Sequence, residues 1–191
     1  MFFSFGIATG AFDAISTLLN LVLEDTGSYT YAQIGIIGFL IVLSGIFGAF
    51  LAGVVADYLK KMRILIIVFY VLCFGGILLF VFVLFINVNT MWIMSLISCV
   101  MGFVLTAILP ISMEATVNTT FPIAEAVSVG LILMSAQFFG VVLIVTMNVM
   151  FSVLNSWTVP NWILVGCVGV SVLLIFFFKA GDKRRVADER K

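Results

Sequence analysis

The sequence predicts an all-α integral membrane protein with six transmembrane helices, and three observations carry that reading. First, the 191 residues are 64% apolar and only 9% charged, with a mean hydropathy of +1.34, whereas a soluble domain is about 45–50% apolar and about 25% charged. Second, the apolar residues form long continuous runs. A transmembrane barrel needs alternating segments of about ten residues, so that architecture is excluded. Third, all nine basic residues fall in two places: Lys60, Lys61 and Arg63, then Lys179, Lys183, Arg184, Arg185, Arg190 and Lys191.

A helix crosses the hydrocarbon core with about 20 mostly apolar residues. On that criterion the spans run over about 2–23, 31–56, 63–86, 91–111, 123–147 and 160–178, with 179–191 as a solvated tail. Placing both basic clusters on the cytoplasmic side puts both termini inside and leaves the outward loops, at 24–30, 87–90 and 148–159, free of Lys and Arg. Trp92, Trp157 and Trp162 flank those loops, at the depth where indoles favour the headgroup boundary. The sequon at Asn118 then faces the cytoplasm and is expected to be unmodified.

Span one carries Asp13, Ser16, Thr17 and Asn20 at i, i+3, i+4 and i+7, which is one face of a helix. A carboxylate at mid-span costs about 2.5–3.5 kcal/mol even on insertion scales. Asp13 is therefore expected to line a cavity, take up a proton or be held charged by a cation; the plainer alternative is a structural hydrogen bond to another helix. The apolar start of the chain is interrupted by Asp13 and lacks a basic leader, so it reads as a span that stays and not as a cleaved signal.

Span two has two rows of small residues, Gly45/Ala49/Gly53 and Gly48/Ala52/Ala56, whose four-residue spacing lets helix backbones approach closely. The loop after it, GVVADYLKKMR, holds Gly53, Asp57 and Lys60; the plain reading of its charges is topology alone. Spans three, four and six are almost purely apolar. From Pro110 the chain passes through a short acidic turn, expected to hold Glu114 and Glu125, into span five with Ser135 and Gln137 in its middle. An unpaired amide at that depth costs several kcal/mol by transfer estimates, about 4–8 into alkane, so Gln137 is expected to face a bundle interior or a wetted path.

Cys73, Cys99 and Cys167 all lie in apolar spans and there is no histidine, so no disulfide framework, metal or cofactor is expected. No residue pattern suits nucleic acid, no internal repeat is visible in the residue identities, and no nucleotide loop or nucleophile triad supports an enzyme.

Three stretches together resemble one family: GAFDAISTLLN from Gly10, GVVADYLKK from Gly53, and the segment from Pro110 to Gly140. In the last, Pro110, Glu114, Thr120, Pro122, Glu125, Gly130, Leu131, Ser135, Ala136, Gln137 and Gly140 match the pattern of the carboxyl-terminal half of the feline leukaemia virus subgroup C receptor-related transporters, in the major facilitator superfamily. The resemblance implies helices seven to twelve of a carrier, for haem in some members and for choline and ethanolamine in others. It implies a cavity-lining, substrate-binding role for Gln137; Asp13, Asn20 and Ser135 are further candidates from their own polar positions in spans one and five. It also makes Gly53, Asp57 and Lys60 a degenerate copy of the superfamily's cytoplasmic loop motif, a gating set that Glu114 and Glu125 extend.

Two positions depart from the family. Asp13 stands where a tyrosine is common, and Asn118 where an acid is common. A carboxylate suits a cationic amine or a titrating proton, and would repel the two propionates of haem. Such carriers place substrate between two six-helix halves. The chain is therefore expected to be a fragment, or to pair with a separate amino-terminal half or a second copy. The competing expectation is a non-transporting membrane interaction protein or degenerate remnant.

Overall fold

The computed structural model describes residues 1–25, 29–58, 62–86 and 90–177, and they form six helices. These are α1 (Phe2–Asp25), α2 (Tyr31–Tyr58), α3 (Met62–Phe85), α4 (Met91–Thr120), α5 (Glu125–Leu154) and α6 (Thr158–Phe176). All six are long and apolar enough to cross a membrane. At about 1.5 Å of rise per residue, even α6 matches the hydrocarbon core, and the 30 residues of α4 reach well beyond it.

The extra length of α4 corrects the expected turn. The helix does not end near Ile111; it continues through Pro110 to Thr120, so Glu114 is a helical residue and the turn shrinks to 121–124. Proline removes only the donor that would pair with the carbonyl four residues back, at Thr106, and membrane helices tolerate such a gap. Beyond Pro110, the hydroxyls of Thr116, Thr119 and Thr120 donate to the carbonyls four residues back, at 2.7–2.8 Å. The Thr120 and Ser128 hydroxyls, 2.7 Å apart, then join α4 to α5. At the other end of the bundle, the Thr30 backbone N–H donates to Gln33 Oε1 at 2.9 Å, half of a capping box that starts α2. Asn155 closes α5 in the left-handed region (φ 48°), where asparagine is tolerated.

The helix pairings reveal the repeat that residue identities hide. The most extensive packing is α2 on α4 and α1 on α5, followed by α3 on α4, α3 on α6 and α1 on α6. Exchanging α1 with α4, α2 with α5 and α3 with α6 maps this pattern onto itself. Three spans per unit is an odd number, so the two units cross the membrane in opposite senses.

Glycines set both major pairings. A β-carbon built on Gly48 would run into the Phe103 carbonyl oxygen, and one on Gly102 into that of Ile41. Backbone is thus pressed on backbone, the geometry that small-residue spacing permits. Gly45, Gly48, Ala52 and Ala56 are the buried members of the α2 rows, whereas nothing crowds Gly53.

Candidate functional site

The candidate site forms where α1 and α5 run side by side in the same direction. Gly10 is its pivot, because a β-carbon there would sit 2.6 Å from the Gly140 nitrogen and 2.8 Å from the Phe139 carbonyl carbon. One helical turn on from Gly10 is Asp13, and one turn back from Gly140 is Gln137, so the close crossing brings both to the same side. There they line an open recess of about 240 Å³ with Ser16 and Thr17 of α1 and Gly140, Val141 and Ile144 of α5. A β-carbon on Gly140 would meet Asp13 Oδ2 at 3.3 Å, so the carboxylate lies directly against the α5 backbone.

The polar groups of this wall are one carboxylate, one amide and two hydroxyls, all able to accept hydrogen bonds. Among the described residues the only Lys or Arg is Arg63, at the start of α3, and it does not line the recess. The site thus offers negative charge and acceptors, with water-sized space in front of them. Asp13 is half-buried while Ser16, Thr17 and Gln137 are exposed from the bundle. That combination suits an aqueous or ligand-filled space better than acyl chains.

Not every candidate joins this group. Ser135 is fully buried, with its hydroxyl 2.6 Å from the Ile132 carbonyl and 3.1 Å from that of Phe2, so it ties α5 to the start of α1 and does not reach the recess. Asn20 is exposed on the same helix as Asp13 but is not part of the lining. Gly53 lies near the far end of α2; the Asp57 side chain and Lys60 lie outside the described residues. Glu114 is half-buried on α4, and Glu125 is exposed at the first position of α5. Sequence reasoning missed Gly140 as a member of the site, although its three-residue spacing from Gln137 put it on the same face.

No family model matches the chain. Among curated proteins it is 33% identical, over 98% of its length, to an uncharacterised MFS-type transporter of Caenorhabditis elegans. It is 33% identical over 97% of its length to the choline/ethanolamine transporter FLVCR2 of Rattus norvegicus, and 33% over 95% to the choline/ethanolamine transporter FLVCR1 of Mus musculus. The chain belongs to the feline leukaemia virus subgroup C receptor-related family of the major facilitator superfamily. It covers 31%, 34% and 32% of those three proteins, so it spans about a third of the length of the curated relatives it matches. Six long apolar helices matched to part of an MFS-type transporter fit one half of such a protein.

Proposed function

We propose that the chain supplies one wall of a carrier for a small cationic amine of the choline and ethanolamine kind, working by alternating access. The observation that carries this reading is the convergence of Asp13 and Gln137 on one open recess. At about 240 Å³ it falls somewhat short of the ~300–1,000 Å³ of a whole small-molecule site, which suits a wall completed from the other side. A second six-helix half would face it: a separate chain, an amino-terminal segment of the same protein, or a second copy. The names of the relatives support the substrate class. A haem cargo is disfavoured, because its two propionates would approach the Asp13 carboxylate across a low-dielectric gap.

In this reading both termini face the cytoplasm and the protein resides in the plasma membrane, with the basic clusters holding that orientation. Gly53, Asp57 and Lys60 at the cytoplasmic end of α2, with Glu114 and Glu125, stabilise one of the two access states. Asn20, exposed about two turns along α1 from Asp13, is proposed to meet substrate on its way to the recess. The test is flux of radiolabelled choline and ethanolamine into cells with and without the chain, repeated with Asp13→Asn. Uptake above background that the substitution removes supports the reading. Unchanged flux with and without the chain rejects transport of this class, and unchanged uptake in Asp13→Asn removes the carboxylate from the mechanism.

A further inference from the structure

The composition of the recess says more than that it suits a cation. It holds a carboxylate from Asp13, a carbonyl from Gln137 and the hydroxyls of Ser16 and Thr17, and none of its lining residues is aromatic. A quaternary ammonium has no N–H to donate and is bound best by ring faces, which this wall lacks. A primary ammonium carries three N–H donors and finds acceptors here for all of them. Resting on the proposed cationic-amine reading, we propose that this recess selects ammonium groups bearing N–H donors over quaternary ones, with Asp13 as the discriminating acceptor.

The sign of the preference is diagnostic because two effects oppose each other. Methylating nitrogen spreads the charge and makes it easier to take out of water, so a wall without matched acceptors favours choline. A charge-assisted hydrogen bond to a carboxylate favours ethanolamine and disappears with the last N–H. The position of Asp13 lets the second effect dominate. Its Oδ2 lies beside α5, 3.3 Å from where a β-carbon on Gly140 would stand, which places the carboxylate in the lining itself.

The experiment uses membranes from cells expressing the full chain and measures displacement of radiolabelled ethanolamine by unlabelled ethanolamine, N-methylethanolamine, N,N-dimethylethanolamine and choline. Apparent affinity is expected to fall along this series. The largest drop, about tenfold or more, comes at the final step, where the last charge-assisted hydrogen bond is lost. Asp13→Asn is expected to weaken ethanolamine most and to flatten the series. Choline displacing as well as or better than ethanolamine overturns this inference while leaving the carrier reading intact. Saturable binding of none of the four overturns both. The series on the unsubstituted chain decides the matter even where Asp13→Asn fails to reach the membrane.

Discussion

Replacing Gly10 with alanine tests the crossing that assembles the site. The added β-carbon would stand 2.6 Å from the Gly140 nitrogen and 2.8 Å from the Phe139 carbonyl carbon, where non-bonded heavy atoms favour about 3.5–4.0 Å. Both neighbours are backbone, so no rotamer change relieves the clash, and α1 and α5 must separate locally by about 1 Å. A gap of that size forfeits about a quarter to a half of the local dispersion energy, and overpacking of this kind costs about 1–3 kcal/mol. Alanine also gains helix propensity over glycine, by about 0.8–1 kcal/mol. That gain is removed by comparison with Gly75→Ala, at a position on α3 where nothing lies within 4 Å of the new carbon. The difference between the two variants therefore isolates the packing term. Heating in mild detergent, followed by size-exclusion chromatography of the surviving folded peak, should place Gly10→Ala below Gly75→Ala by about 2–4 °C per kcal/mol lost. Equal survival of the two variants would show that the helices are not in backbone contact at Gly10, and the geometry built on that contact would go with it.

Other outcomes follow from the same structure. Ser135→Ala should lower stability by about 0.6 kcal/mol and by no more than about 1.7, the average and maximum for hydrogen bonds between membrane helices, and leave substrate binding unchanged. Gln137→Ala should do the reverse, weakening uptake with the thermal profile intact; the two profiles side by side check the assignment of Ser135 to packing and Gln137 to the recess. Gly140→Ala should lower ethanolamine affinity several-fold, because its β-carbon meets Asp13 Oδ2 at 3.3 Å and the carboxylate must give way by a few tenths of an ångström; a competition curve identical to the parent would refute this. Asn118 lies within α4, so glycosidase treatment should leave the electrophoretic mobility of the expressed chain unchanged, and a shift would reverse the proposed topology.

Much of the site was readable in the chain because helical periodicity converts spacing into facing. Asp13, Ser16 and Thr17 on one side of a helix required no knowledge of neighbours, and neither did the expense of burying Gln137 in hydrocarbon. The resemblance on Pro110 to Gly140 pointed to the family that the relatives bear out. Ser135 does not join the recess for a physical reason: it lies two residues before Gln137, so the helix turns it about 200° away, into the α1 contact. Glu114 was placed in a turn because the apolar run ends near Ile111, whereas α4 continues as a helix through the more polar segment to Thr120.

By itself the sequence determined that this chain lives in a bilayer, that it crosses six times, and that a carboxylate and an amide lie too deep to meet lipid without penalty. Those conclusions rest on length, hydropathy and helical pitch, which are local properties. Only the tertiary structure decided that Asp13 and Gln137 share one recess, because that depends on the parallel register of α1 against α5. The register is set by the contact of Gly10 with Gly140 across the interface, where two backbones approach more closely than any side chain allows. Residues 130 positions apart meet there, and no periodicity within either helix specifies which of its turns will touch the other.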